Sequence, residues 1–209
     1  MSTEKHVENN ISKIDITEEI ILGLKSLRFQ TIADKEIVEF IHYHCQRLLE
    51  IAMEKNDSKE VARAVNLDTF EVLNPVFGNE RSVDIEALVD QMRGTDYAFI
   101  VMHNHIIGSH FSRRDIKTFI DADNISILIV LGNDGSIFII EKTRQISLNE
   151  ILSARKTLVD WKNQTIDFET VIAQLKESTL RQRKRLTRIL HRFPWFLPGQ
   201  RTHSSRRST

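Results

Sequence analysis

The sequence predicts an α/β or α+β domain in which a β-sheet is layered with helices and is followed by a helical extension. Two observations lead to this prediction. The 209 residues are 41% apolar and 28% charged, which is typical of a globular protein with one domain plus extensions, or with two small domains. Segments with the 3.6-residue period of helices also alternate with short strand-like apolar runs, and this alternation is typical of helices packed on a sheet.

The first third of the chain predicts a helix followed by strands. Residues 1–33 are polar and mixed with one short apolar patch, so we expect a weakly ordered arm or a small helix. Apolar residues recur at three- and four-residue spacing from Asp34 to Lys55, which indicates a helix with Asp34 as its N-cap. The turn residues Asn56 to Ser58 end this helix. The segment from Val61 to Val76 is rich in Val, Leu and Phe and predicts one or two strands.

The middle of the chain contains the segment most typical of a buried strand. Pro75 and Gly78 mark a turn, and Asp84 to Arg93 fits a short helix capped by Asp84. Tyr97 to Met102 is a continuous apolar run, which predicts a central strand buried on both faces. A loop is expected from His103 to Phe111.

A helix, a strand and a hairpin follow this loop. Ser112 to Asp121 has apolar residues along one side and predicts a helix, and Ile125 to Leu131 predicts another strand. The Gly-Asn-Asp-Gly segment at Gly132 to Gly135 is a hairpin turn signal, with Ser136 to Glu141 as the returning strand. The last two helices are predicted at Ser147 to Lys162 and at Asp167 to about Arg192.

The charge of the chain is divided between an acidic body and a basic tail. Lys and Arg total 29 and Asp and Glu total 29, so the formal net charge is zero. Residues 178–209 nevertheless contain nine Lys or Arg and no acid, whereas residues 1–177 contain 20 basic and 29 acidic side chains. The tail is suited to nucleic acid, to an anionic membrane surface or to an acidic partner, or it folds onto the acidic body. The basic residues of its predicted helix are Arg181, Arg183, Lys184, Arg185, Arg188 and Arg192.

The cysteine content and the N-terminus favour a cytoplasmic protein. Cys45 is the only cysteine, which excludes an internal disulfide framework and argues against a cysteine-ligated zinc site. Residues 1–10 lack the apolar stretch of a signal peptide, and the longest apolar runs are too short to span a bilayer. We expect Cys45, within the first predicted helix, to be a core residue.

The residues that indicate chemistry follow the buried strand. His103 and His105 are two residues apart on an extended segment, so their side chains project from the same face and can meet one cation. Asp115 lies on the first turn of the next helix, three residues after Ser112, and a loop that folds back would bring its carboxylate to the same point. Two His and one carboxylate leave the fourth tetrahedral position open, as in catalytic zinc sites.

A catalytic zinc site of this kind needs two further groups. The metal lowers the pKa of its water to about 7, and a carboxylate outside the ligand set usually takes the water proton. A hydrogen-bond donor must also stabilise the developing oxyanion, and Ser112 is a candidate for that role. The base must come from elsewhere in the chain.

The pattern His-Asn-His followed by Phe-Ser-x-x-Asp resembles the signature of the JAB/MPN (JAMM) zinc metallopeptidase family, and its His-Asn-His form is similar to the bacterial and RadC-like branch. The resemblance covers Glu36 to Lys142 and implies a curved mixed sheet flanked by helices, with a hairpin downstream of the site. It also implies that His103, His105 and Asp115 hold one Zn²⁺.

The family's base is a glutamate at the start of a strand some tens of residues upstream. That description selects Glu60, which lies 43 residues before His103 and directly precedes a strand-like run. Glu54, Glu71 and Glu80 are competing candidates.

The chain departs from the family pattern at two places. Ile106 stands where the family usually has Pro, and the loop between His105 and Ser112 has six residues, one fewer than the common form. These loop differences bear on which substrate the site accepts more than on whether it binds a metal.

Simpler interpretations exist for each motif. A second His-x-His, at His42 and His44, falls inside the first predicted helix, where residues two apart point in different directions, so we interpret it as a non-ligand pair. Ser112 with Asp115 also has the spacing of a helix capping box, which is compatible with metal binding because a capped helix start is a rigid support. His110 lies in the loop, where we expect it to be exposed to solvent rather than to touch a substrate, and we expect Asn104 to brace the loop by hydrogen bonds.

Two functions follow as hypotheses. The first is a zinc-dependent hydrolase that cleaves a peptide or isopeptide bond with a metal-activated water. Its substrate would be a protein or peptide, and the family resemblance implies a ubiquitin-like one. The second is a RadC-like or scaffold module without catalysis, which binds nucleic acid or a protein through the basic extension. The chain is accordingly divided into an N-terminal arm at 1–33, a JAB/MPN-like domain at 34–145, C-terminal helices at 146–192 and a basic, disordered tail at 193–209.

Overall fold

A five-stranded mixed sheet flanked by helices forms the body of the protein. The structure is a computed structural model and describes residues 13–142, 148–163, 166–167, 170–171 and 173–174. The strand order across the sheet is β2-β1-β3-β4-β5, with β3 and β4 parallel and the other neighbours antiparallel. The strands are β1 (Val61–Asn66), β2 (Val76–Phe77), β3 (Phe99–His105), β4 (Ile125–Gly132) and β5 (Ile137–Glu141).

Among the described residues five helices have assigned bounds, and four of them begin at a side chain that caps the first turn. Each of these N-caps accepts a hydrogen bond from a backbone N–H two or three residues further on, which satisfies a donor that the helix itself leaves unpaired. The capping residues are Thr17, Asp34, Asp84 and Ser112. The helices are α1 (Glu18–Leu22), α2 (Lys35–Asn56), α3 (Ile85–Met92), α4 (Arg113–Asp121) and α5 (Leu148–Lys162).

The central strand β3 is buried on both faces. Ile100 and Met102 belong to a core cluster that includes Leu48 and Leu49 of α2. Val101 lies between them in the strand, is also fully buried, and points to the opposite face, where α3 and α4 pack against β1 and β4. The expected apolar strand is confirmed, and the same alternation places His103 and His105 on the face of Val101 and Asn104 on the face of Met102.

Strand β3 is longer than the sequence indicates. The loop predicted from His103 is wrong for its first three residues, because the strand continues through His105. Parallel pairing with β4 extends to the pair His105 and Gly132, so the sheet keeps this polar segment extended. The segment from Val61 to Val76 forms strand β1 and an isolated bridge between Val65 and Val72. The two-residue strand β2 lies where a turn was expected.

The N-terminal segment contributes to the core. The small helix expected within residues 1–33 is α1, and residues on either side of it are buried against α2 and the sheet, among them Ile16, Leu24 and Leu27. The N–H of Ile14 donates to the carbonyl of Ile106, 2.9 Å away, directly after the His-Asn-His segment. The described part of this predicted arm is therefore integral to the domain.

The chain divides into two compact units, Met1–Ile151 and Leu152–Thr209. The predicted helix is present as α5, most of which belongs to the second unit, and there the hydroxyl of Thr157 lies 3.2 Å from Oε1 of Gln174. Within the residues that the structure describes, no helix is both long and apolar enough to cross a membrane. Most of the last predicted helix and the whole tail lie outside the described residues, including Arg181, Arg183, Lys184, Arg185, Arg188 and Arg192.

Candidate metal centre

The end of β3 brings two imidazole rings together. Because side chains alternate along a strand, His103 and His105 project from the same face, and their Nε2 atoms lie 3.1 Å apart. His103 is 1% exposed and His105 is 8% exposed. The sequence prediction that the two rings can meet one cation agrees with this geometry.

The first turn of α4 supplies the carboxylate. Asp115 Oδ1 lies 3.3 Å from His103 Nε2, and Asp115 Oδ2 lies 3.5 Å from His105 Nε2. The capping box predicted from the spacing is present: Ser112 N–H donates to Asp115 Oδ2 at 2.6 Å, and Asp115 N–H donates to Ser112 Oγ at 3.2 Å. The helix start therefore holds the carboxylate against the two rings.

The donor set fits a tetrahedral zinc ion. His103, His105 and Asp115 each offer one ligand atom, and these atoms lie within 4.8 Å of one another. Zinc bonds of about 2.0–2.1 Å to nitrogen and oxygen give edges of about 3.3–3.4 Å between ligands of a tetrahedron. The two Nε2 atoms are 3.1 Å apart, close to this edge, and each lies within 3.5 Å of one oxygen of Asp115. Three protein ligands leave the fourth position open.

A hydrogen bond sets the tautomer of His105. Its Nδ1 lies 3.0 Å from the carbonyl oxygen of Ser109 and 2.9 Å from Oγ of the same residue. A carbonyl oxygen can only accept, so Nδ1 carries a proton, and the neutral form of the ring then has its lone pair at Nε2, where a metal would bind. In the described part of the chain, Nδ1 of His103 is buried without a hydrogen-bond partner.

The cluster is electrostatically matched to a cation. Burial alone would raise the pKa of the Asp115 carboxyl, but hydrogen bonds from His103 and His105 outweigh burial and lower that pKa. Burial likewise opposes charge on His105, yet the carboxylate of Asp115 and the charge of Glu60 raise the His105 pKa. The ionised carboxylate of Asp115 thus favours a positive charge between the two rings.

Glu60 lies beside this cluster at the entrance of β1. It is 8% exposed and lines a cleft of ≈ 560 Å³ together with His105, Ser112 and Asp115. Burial raises the pKa of the Glu60 carboxyl above its usual range, and the neighbouring histidines oppose this only in part.

The competing glutamates are placed differently. Glu80 also lines the cleft but is exposed, whereas Glu54 and Glu71 are exposed and do not line it. Glu60 is therefore the buried glutamate among the four candidates.

The remaining histidines with assigned interpretations lie apart from the centre. His42 and His44 are on α2, and the ring of His44 packs edge-on against Phe40 at 4.4 Å between centroids. Neither belongs to the group that could hold a metal among the described residues. Nδ1 of His110 lies 3.1 Å from the carbonyl oxygen of Phe111, and this side chain does not line the cleft.

Sequence reasoning missed several residues that shape the site. Ser109, which orients His105, lies in a loop with no recognisable motif, and Asn133 was interpreted only as part of the hairpin turn. The wall of the cleft opposite the strand is formed by Arg81, Ser82 and Val83, in the connection before α3. Asn133 and the wall residues contribute through contacts distant in sequence, whereas Ser109 lies four residues from His105 in a loop whose conformation has no sequence signal.

Comparisons of the chain with protein-family models, with curated proteins and with solved structures give no match. The chemistry of the site is therefore inferred from its geometry.

Proposed function

We propose that this protein is a zinc-dependent hydrolase of the JAB/MPN type that cleaves a peptide or isopeptide bond. The observation that carries the proposal is the convergence of His103, His105 and Asp115 on one point, with the buried residue Glu60 lining the same cleft as His105 and Asp115. The β4–β5 hairpin after the site and the helices flanking a mixed sheet support the likeness to that family.

The ligand residues would hold Zn²⁺ through Nε2 of each histidine and one oxygen of Asp115. When bound, zinc supplies Lewis-acid polarisation and a water of pKa about 7. The residues of the chain supply the remaining requirements, which are a rigid ligand geometry, a proton acceptor and a hydrogen-bond donor.

Glu60 is the proposed general base. Its carboxylate takes a proton from the attacking water, and the resulting carboxylic acid gives the proton to the leaving amine nitrogen. Amide cleavage requires this second transfer because an unprotonated amine anion is a very poor leaving group. A carboxyl with a raised pKa is suited to both steps, since it must be able to hold the proton between them.

Ser112 is the proposed oxyanion donor. Its Oγ accepts the hydrogen bond from Asp115 N–H, and its hydroxyl, which also interacts with the Asp115 carboxylate, would turn toward the substrate to donate. Because Ser112 and Glu60 line the same cleft, a scissile carbonyl between them can accept from the hydroxyl while the water attacks.

Metal content and hydrolysis together test the proposal. Purified protein is expected to contain one zinc per chain and to cleave members of a panel of peptide and lysine-linked isopeptide substrates in a chelator-sensitive way. His105→Ala should lose both zinc and activity, Glu60→Gln should retain zinc and lose activity, and the control His42→Ala should retain both. Absence of zinc, or zinc retained by His105→Ala, contradicts the proposal. Retained hydrolysis in Glu60→Gln assigns the base elsewhere, and Glu80→Gln then tests the other glutamate of the cleft.

A further inference from the structure

We infer that Asn104, held by Asn133, is a positioning residue that sets the place of Glu60 relative to the zinc ligands. This inference rests on the proposed function. Asn104 lies between the two ligand histidines on β3 and points to the opposite face of the sheet, so it does not contact the cleft.

The side chain of Asn104 bonds to the backbone on both sides of Glu60. Its Oδ1 accepts from the N–H of Val61 at 2.7 Å, and its Nδ2 donates to the carbonyl of Lys59 at 3.2 Å. One amide group thus ties the strand that carries the ligands to the residues immediately before and after the base. Asn104 is fully buried, so water does not replace these bonds.

Asn133 fixes the orientation of the Asn104 amide. Its Oδ1 accepts from Asn104 Nδ2 at 2.8 Å, and its own Nδ2 donates to the carbonyls of Ile14 and Ser58 at 2.7 and 2.8 Å. Its backbone N–H also donates to the carbonyl of His105 at 2.9 Å. All four amide protons of the two side chains are used, which leaves neither amide free to flip.

The backbone of Glu60 is held from its other side by loop residues. Its N–H donates to the carbonyl of Asn79 at 3.2 Å, and its carbonyl accepts from Gly78 N–H and from Asn56 Nδ2, both at 2.8 Å. These bonds join Glu60 to the segment after β2 and to the end of α2, whereas the Asn104 amide joins the flanks of Glu60 to the ligand strand. The β1–β3 ladder ends at the pair Ala62 and His103, and the Asn104 amide continues the connection past Val61 to Lys59, across the position of Glu60.

The test replaces Asn104 by Leu, which has a similar size and no hydrogen-bonding group. Asn66→Ala is the matched control, because Asn66 is a buried asparagine at the far end of β1 whose Oδ1 accepts from Asp68 N–H and Thr69 N–H. Both variants should lose stability. A base displaced by about 1 Å can cost roughly 10²-fold in rate, so kcat of zinc-loaded Asn104→Leu should fall about that much with little change in KM, and kcat of Asn66→Ala should not.

A second readout is independent of hydrolysis. In metal-free protein, amide hydrogen exchange at Val61 should accelerate in Asn104→Leu and stay as in the wild type in Asn66→Ala, because Asn104 Oδ1 is the acceptor for that N–H. If Asn104→Leu does not fold, Asn104→Ser is measured in the same way.

Three results would overturn the inference. The first is a kcat of the Asn104 variant equal to that of Asn66→Ala. The second is loss of zinc in parallel with loss of activity, which would show that the Asn104 amide positions the zinc ligands rather than Glu60. The third is unchanged exchange at Val61. If wild-type protein contains no zinc and hydrolyses nothing, the proposed function fails, while the exchange result still reports whether Asn104 holds the flank of Glu60.

Discussion

Substitution of Ser112 by Ala separates two roles of one hydroxyl. Ser112 Oγ accepts from Asp115 N–H as the N-cap of α4, and its proton is proposed to bond the oxyanion. Removing an N-cap costs about 1 kcal/mol, which corresponds to about 2–4 °C in Tm for a chain of this length. The other half of the capping box remains, because Ser112 N–H still donates to Asp115 Oδ2, so zinc binding should be nearly unchanged.

The effect on catalysis should be much larger than the effect on stability. Loss of one oxyanion donor typically lowers kcat roughly 10²–10³-fold, which is about 2.7–4 kcal/mol of transition-state stabilisation. Asp34→Ala is the matched control, since Asp34 caps α2 by accepting from Glu36 N–H and Ile37 N–H. It should lose about 1 kcal/mol of stability and keep its kcat.

The assay combines urea unfolding with single-turnover hydrolysis of the best substrate from the panel. Ser112→Gly adds a third point, because glycine is a nearly adequate N-cap and has no hydroxyl. Its stability should be within a few tenths of a kcal/mol of the wild type while its kcat stays as low as that of Ser112→Ala. Hydrolysis by Ser112→Ala at the rate of Asp34→Ala would refute the oxyanion role and leave Ser112 as a cap alone.

Three further predictions concern zinc, a thiol and a lysine. At a zinc concentration 100 times its Kd, thermal unfolding should show a stabilisation of about 2.7 kcal/mol for the wild type and for His42→Ala, and no stabilisation for His105→Ala. An equal shift in all three proteins would place the metal elsewhere. Burial raises the pKa of the Cys45 thiol to about 12, so a thiol reagent at pH 8 should react only after unfolding, and rapid reaction of native protein contradicts the buried position. Burial lowers the pKa of Lys142 to about 8, so between pH 8 and about 10.4 this lysine binds more protons in the unfolded chain than in the folded protein. The unfolding free energy of the wild type should therefore rise over that pH interval relative to Lys142→Met. A difference between the two proteins that does not change with pH would show that the ammonium is solvated.

Elements defined by neighbouring residues were predictable from the sequence. Asp34, Asp84 and Ser112 cap their helices through side chain to backbone bonds that span two or three residues, so the pattern is visible locally. The hairpin that joins β4 and β5 turns at Gly135, where φ is +83°, a conformation that glycine adopts without strain. Local chemistry decides these features, and the structure confirms them.

Features that depend on distant pairing were not predictable. The polar segment from His103 to His105 is a strand because β4 pairs with it in parallel, more than twenty residues further along the chain. The burial of Ile16 and Leu27 against α2 and the sheet has no signal in the polar N-terminal segment. Short apolar patches become core or surface only through the packing of the whole chain.

In the candidate site, too, some residues could be predicted from the sequence and others could not. The spacing of His103, His105 and Asp115 predicts their convergence, because strand alternation and a capped helix start constrain each side chain locally. Asn133 acts through a contact that only the fold creates, and Ser109 depends on the conformation of a loop that carries no motif. A motif therefore predicts the ligands better than their supports.

Anomalous diffraction at the zinc edge from crystals of the zinc-loaded protein tests the central claim most directly. The account predicts one peak about 2.0–2.2 Å from Nε2 of His103, Nε2 of His105 and one oxygen of Asp115, with a non-protein ligand completing the tetrahedron. No peak at these residues, or a peak at His42 and His44 instead, would contradict it.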